Sequence, residues 1–239
     1  MSKYLVLLLI TIGAVTAQQK VSVKIYYESL CQDSIDFFTK KFVPAWRDVD
    51  VQSRINLGLI PYGKSTSNPS DPTNRWTCHH GLNECTGNKL QSCIIDNSAE
   101  LTVKNKVDFI ECLMAKASKD VPYMQTVDSC ASTLHTSTMT LDSWKQCANG
   151  PQGNKLYEMN QNKTDALQNP LKSVPTIVFN DRYDKADSDA AQKSFLNVLC
   201  KYITDSPKPK ACDTASGAPS ATAGFVSLIT AGLIYRMLS

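Results

Sequence analysis

Apolar and polar residues alternate through Val21–Tyr27 (VSVKIYY), with Val21, Val23 and Ile25 on one face, and the segment is predicted to be a strand. Ser34–Phe42 changes period. Ile35, Phe38 and Phe42 recur at helical spacing, and Pro44 is expected to limit the helix. Arg54–Tyr62 (RINLGLIPY) returns to period two through Ile55, Leu57 and Leu59 and is a second strand; Gly63–Asn74 then turns to Gly, Ser, Asn and Pro and reads as a loop. Val103, Val107, Ile110, Leu113 and Met114 form one stripe of a helix over Glu100–Ser118, and a weaker helical pattern covers Tyr123–Leu134. Val174–Phe179 (VPTIVF) is a strand led by proline. Asn180-Asp181 makes a turn, Arg182–Asp184 pairs back as a hairpin, and Ser188–Tyr202 is a last amphipathic helix. The order is strand, helix, strand, long helical insert, strand, hairpin, helix: a small α/β unit whose halves, Val21–Tyr62 and Val174–Tyr202, are separated by the insert.

Composition narrows the class. In 239 residues, 42% are apolar and 20% charged, with a net charge of +3 and no Lys/Arg cluster. That is an ordinary globular mix and gives no reason to expect nucleic acid as a partner. Nine cysteines depart from the average. Residues 1–17 (MSKYLVLLLITIGAVTA) place Lys3 before a short apolar run and small residues at Val15 and Ala17, the pattern of a secretory signal peptide. At the other end, small residues at Ala215–Ala218, a polar spacer and the apolar Phe225–Tyr235 follow the order of a GPI-anchor signal, with Ser216 or Gly217 as the attachment residue. A short membrane anchor and a merely apolar tail are the alternatives. The expected organisation is a signal peptide at 1–17, a domain at 18–205 with its insertion at about 64–165, and a linker and tail at 206–239. Cysteines on the secretory route are usually oxidised, and the Asn162-Lys163-Thr164 triplet is an N-glycosylation acceptor at Asn162. The protein is expected at the cell surface, outside the cell or in endosomes and lysosomes. A monomer is the default, with membrane attachment only through the C-terminus.

Cys31 stands between the first strand and the first helix. Free N–H groups and the dipole at a helix start favour a thiolate, which can attack a disulfide. Asp33 works against this by its charge. A two-thiol enzyme would carry cysteine at position 34; this chain has Ser34, which can donate to a thiolate but cannot close a disulfide with it. A mixed disulfide at Cys31 would then need another thiol to resolve it. Removing Cys31 leaves eight cysteines, enough for four bridges of unassigned pairing. Val174-Pro175 opens the third strand; in thioredoxin-like folds a cis-proline at this place lies beside the thiol and offers backbone to an extended substrate.

Within the insert, Cys78-His79-His80-Gly81-Leu82-Asn83-Glu84-Cys85-Thr86-Gly87-Asn88 runs on to Cys93. Six and seven residues lie between its cysteines, which is not a zinc-site spacing, and in an oxidising compartment disulfides are expected there rather than metal. His80 is a local acid/base or a hydrogen-bonded structural residue. The segment resembles the signature of the gamma-interferon-inducible lysosomal thiol reductase (GILT) family, matching it at Cys78, His80, Gly81, Glu84, Cys85, Asn88 and Cys93; His79 replaces a glutamine. Leu59–Gly63, Lys155–Thr164 and Val174-Pro175 are similar to further family segments. The resemblance implies an α/β, thioredoxin-like fold interrupted by a disulfide-rich helical insertion. It implies disulfide reduction on protein substrates, with Cys31 as nucleophile, Ser34 supporting the thiolate, Val174 and Pro175 aligning substrate backbone, no bound cofactor, and an external small-molecule thiol as reductant. Ser34 and the tail are departures from the family pattern. With Asp33, they leave two other readings: a surface-tethered, non-catalytic protein that holds extended peptides, favoured if Cys31 has a pKa near or above the free-cysteine value, and a thiol isomerase. Gly58–Ser65 (GLIPYGKS) matches the phosphate-loop pattern literally, but it runs through a predicted strand and Pro61 lacks an N–H, so nucleotide binding is not expected.

Overall fold

The computed structural model describes residues 19–71, 75–96 and 101–215. The segment expected to be a signal peptide, Ser216, Gly217 and the apolar tail lie outside the described residues.

Three strands form the central sheet in the order β2-β1-β5. β1 (Val21–Tyr27) pairs in parallel with β2 (Ile55–Pro61) and antiparallel with β5 (Thr176–Phe179), so Ile25 faces both Leu59 and Ile177. Because strand side chains alternate, the sheet has two distinct faces. Val23, Ile25, Tyr27, Ile177 and Phe179 enter the main core, while Tyr26, Ile60 and Val178 join a smaller cluster on the other side.

The crossover from β1 to β2 fills the main face. α1 (Gln32–Phe37) passes through a π-helical turn, Phe38–Phe42, into α2 (Val43–Trp46), and α3 (Val49–Ser53) follows. Phe37, Phe38, Phe42 and Trp46 pack there with Phe195. Pro44 therefore does not limit the helix as expected: it occupies the first positions of α2, after the wide turn has already interrupted the i→i−4 ladder.

Among the described residues, five helices lie between β2 and β5: α4 (Leu82–Asp96), α5 (Val103–Lys116), α6 (Tyr123–Thr133), α7 (Thr138–Asn149) and α8 (Pro151–Leu167). A two-stranded ribbon, β3 (Thr66–Ser67) with β4 (Trp76–Thr77), leads into them. α4 packs on α6, α7 and α8. Disulfides pair Cys93 with Cys147 across α4 and α7, Cys112 with Cys130 across α5 and α6, and Cys78 with Cys85. The chain closes with α9 (Lys185–Lys193), α10 (Phe195–Tyr202) and α11 (Ala211–Ala215), the last tied to α10 by Cys200–Cys212. Two expectations change here. The hairpin after β5 shrinks to one bridge, Phe179 with Arg182, because the chain turns at positive φ through Asn180 and Asp181 and then enters α9. The final helix breaks at Ser194, whose non-helical backbone re-aims α10 so that Phe195 and Leu199 reach the core. Among the described residues no helix is long and apolar enough to cross a membrane.

Candidate active site

Cys31 caps α1 with extended backbone, and it is the one free cysteine among the described residues. Its thiol is buried beside Tyr26, Ile60, Leu171, Val174 and Val178. Val174 precedes Pro175, and their peptide bond is cis. The structure thus brings the thiol and the proline-led strand together at one end of the sheet.

The electrostatics differ from the helix-start expectation. Burial pushes the Cys31 thiol above its ordinary value. The backbone N–H of Ser34 opposes this most, helped by the Ser34 hydroxyl and the Asp33 N–H, but these do not cancel it. The opposing charge is Glu28 rather than Asp33: Asp33 is exposed and turns its backbone N–H toward the sulfur. A cap on a six-residue helix supplies a few donors, and a site of hydrocarbon neighbours outweighs them. Ser34 is fully buried, and its hydroxyl also accepts from the Glu28 N–H at 3.4 Å.

The insertion holds the segment that carries the thiol. Asn88 accepts from the Ser29 N–H at 2.9 Å, and the Ser29 hydroxyl donates to the Glu84 carbonyl at 3.2 Å. Asn88 in turn donates to the Tyr157 hydroxyl on α8, which meets Ser65 Oγ at 2.8 Å. Deeper in, the Tyr27 hydroxyl donates to Gln91 at 2.6 Å and Gln91 donates to Tyr123. Gly87 permits this approach, since a Cβ there would stand 2.5 Å from Ser29 Oγ. Signature residues therefore have a common physical task. Glu84 and Asn88 tie α4 to the turn before Cys31, Cys78–Cys85 closes the loop before α4, Gly81 turns that loop at positive φ, and Cys93 anchors α4 to α7.

His80 is hydrogen-bonded, with Nδ1 2.6 Å from Glu84 Oε2 and its N–H donating to Glu84 Oε1. Glu84 is buried, and burial, with the charge of Glu28 behind it, pushes its carboxyl up while His80 opposes. Glu28 is a site residue that periodicity does not reveal. It is fully buried between β1 and Cys31, accepting from the Lys64 N–H at 2.7 Å. An acidic residue three positions before a candidate nucleophile was the available signal. In the literal phosphate-loop match, Gly58–Pro61 are strand and the Lys64 N–H is spent on Glu28. Asn162 is exposed on α8 and takes no part in the site.

Residues 22–134 match the family model described as gamma interferon inducible lysosomal thiol reductase (GILT). "GILT-like protein 1" of Drosophila melanogaster is 37% identical over 223 residues, covering 90% of this chain and 87% of that one. The "gamma-interferon-inducible lysosomal thiol reductase-like protein" of Anopheles gambiae is 36% identical over 247 residues, covering 97% and 98%. The chain belongs to the GILT family. Its fold is thioredoxin-like, similar to solved structures of bacterial disulfide oxidoreductases. The reduced DsbG of Mycobacterium tuberculosis aligns with a TM-score of 0.54 at 16% identity, covering 86% of this chain and 87% of that one. BdbD of Bacillus subtilis aligns with a TM-score of 0.52 at 16% identity, covering 75% and 87%. For this GILT-family chain the helical insertion and the disulfide framework expected from the signature are both present.

Proposed function

We propose that the protein is a thiol–disulfide oxidoreductase that reduces disulfides of protein substrates through one attacking cysteine, Cys31. The observation that carries this reading is a single unpaired thiol at a helix start, packed with the residue that leads a cis-proline strand, in a chain whose other eight cysteines pair.

In the first step the Cys31 thiolate attacks one sulfur of the substrate bridge. The S–S bond breaks, a mixed disulfide forms, and the second substrate sulfur leaves and takes a proton. The Ser34 hydroxyl favours the Cys31 thiolate before attack, and does so again when the same sulfur departs as the leaving group in the last step. Ser34 brings no second thiol, so an external small-molecule thiol attacks the Cys31 sulfur and releases the reduced substrate. A second molecule of that thiol frees Cys31 and departs as its own disulfide. The net exchange is one substrate disulfide reduced and two thiols oxidised. Backbone at Val174 and Pro175 aligns the substrate strand. Four disulfides fit a protein exported through an oxidising route, with endosomes, lysosomes or the exterior as its place of work and the exposed Asn162 as a glycan acceptor.

Turnover of insulin with excess glutathione tests the reading. Cys31→Ala should remove it, and the wild-type protein should yield a trapped Cys31 mixed disulfide at low thiol concentration; unchanged turnover in Cys31→Ala would sink the proposal. The raised thiol pKa favours a second reading, a protein that holds extended peptides without chemistry or one that only shuffles bridges. In that case peptide binding survives in Cys31→Ala and net reduction is absent in the wild type.

A further inference from the structure

Four side chains from three segments converge next to Cys31 without being needed for its chemistry. Glu28 follows β1, His79 and His80 lie inside the Cys78–Cys85 loop, and Glu84 stands in the first turn of α4. One donor atom each from Glu28, His79 and His80 fall within 4.8 Å of one another. Glu28 Oε2 lies 3.4 Å from His79 Nδ1 and 3.4 Å from His80 Nδ1. Around a tetrahedral ion with bonds of about 2.0–2.1 Å, neighbouring ligand atoms are separated by about 3.3–3.4 Å. The two separations are those edges. Glu84 Oε2 is 2.6 Å from His80 Nδ1, the length of a shared proton; a cation on Nδ1 replaces that proton, and Glu84, which stands outside the three-ligand cluster, is left as a second carboxylate beside it.

Charge points the same way. Glu28 and Glu84 are both fully buried, and among the described residues their ion-pair partners are the two imidazoles, with no lysine or arginine joining them. Two carboxylates removed from water need compensation. Two carboxylates, two neutral imidazoles and one divalent cation sum to zero. The site is also built rather than incidental. A Cβ at Gly63, which has φ +61°, would stand 2.1 Å from Glu28 Cγ, so only glycine leaves room for that carboxylate, and the Lys64 N–H fixes its other oxygen. His79 is half exposed and gives an ion a path in.

We propose that Glu28, His79 and His80 form a binding site for a divalent cation of the zinc class, with Glu84 as the charge beside it. Two nitrogens and one carboxylate oxygen, with a water completing a tetrahedral frame, suit zinc better than calcium or magnesium, which take more oxygens. The second imidazole is a departure from the family signature, since His79 stands where the GILT signature has glutamine. The site does not depend on the reductase reading and would stand or fall separately from it.

The test is zinc titration of the full, disulfide-bonded protein in a Cys31→Ala background, in competition with a chromogenic chelator. The background ensures that no free thiol contributes. One equivalent should bind. His79→Gln, which restores the family residue at a half-exposed position, should weaken binding at least tenfold, whereas His135→Gln, at the only other histidine, should not. Cobalt in place of zinc should give the visible absorption of a four-coordinate ion, lost in His79→Gln. No zinc retained against the chelator, equal affinity in His79→Gln, or weakening by His135→Gln would overturn the site.

Discussion

Ser34 does two things at once: it accepts from the Glu28 N–H and donates to the Cys31 sulfur. Replacing it with alanine removes a donor that favours the thiolate, so the pH midpoint of Cys31 alkylation should move further up. One hydrogen bond is worth about 0.5–1.5 kcal/mol, and iodoacetamide labelling at fixed mildly alkaline pH should slow by about two- to tenfold. Labelling rates across pH, with a chelator present, check this; a midpoint that stays put or falls would remove Ser34 from the thiolate's support. At this scale Cys31, Ser34 and Pro175 were legible, because a thiol between a strand and a helix and a proline at a strand start are local patterns. The direction of the thiol's titration was not legible. It depends on Leu171, Val174 and Val178, which arrive from the far end of the chain, and on Glu28, which no periodicity marks.

Among the elements, several with apolar faces were located from the sequence, although the first helix continues past its predicted stop and the last one breaks at Ser194, and helices with polar inner faces were missed. β1 alternates over Val21–Ile25 before both its faces are covered, β2 buries Ile55 and Leu59 at the predicted period, and α5 buries Val107, Ile110, Leu113 and Met114 of its predicted stripe while Val103 is exposed. α4 buries Glu84, Asn88, Gln91 and Ser92 beside its apolar residues, so its inward side looks like a solvated one in the sequence. The polar side chains are satisfied by Ser29, Tyr27, Tyr123 and Asn160, contacts that only the fold supplies. The disulfides of these elements should differ in worth. Cys93–Cys147 spans 54 residues and Cys78–Cys85 spans 7. Loop-closure entropy gives about 4 kcal/mol for the longer and about 2 kcal/mol for the shorter. Paired alanine variants compared by urea unfolding should show the larger loss for Cys93/Cys147, and the reverse order would mean that native-state contacts, not chain entropy, set the difference.

For the molecule as a whole, buried phenols set an alkaline limit. Burial holds Tyr27, Tyr62, Tyr123 and Tyr157 well above the ordinary tyrosine value. In the unfolded chain the same groups ionise near pH 10. Above that pH the unfolded state loses protons that the fold retains, so stability falls as pH rises, by up to about 1.4 kcal/mol per unit for each phenol. Urea midpoints of the Cys31→Ala protein, chosen to prevent bridge exchange, should drop steeply above about pH 10; a flat profile there would mean the phenols ionise in place. The α/β frame with its insertion was readable from element order. The clamp between insertion and sheet was not, since it is made by residues 59 positions apart, Ser29 and Asn88.

That clamp has a consequence for how the chain is made. Cys31 is the first cysteine to leave the ribosome, and no other follows until Cys78. Through that interval it has no intramolecular partner with which to pair wrongly. The danger begins when Cys78, Cys85 and Cys93 emerge, and Asn88 emerges among them. The segment that introduces the competing thiols is the one that seizes Ser29, two residues before Cys31. Val174, which seals the thiol under hydrocarbon, comes only after Cys147 and before Cys200 and Cys212 have been added. Residue order thus places both covers of the odd cysteine, Asn88 on Ser29 and Val174 on the thiol, ahead of Cys200 and Cys212.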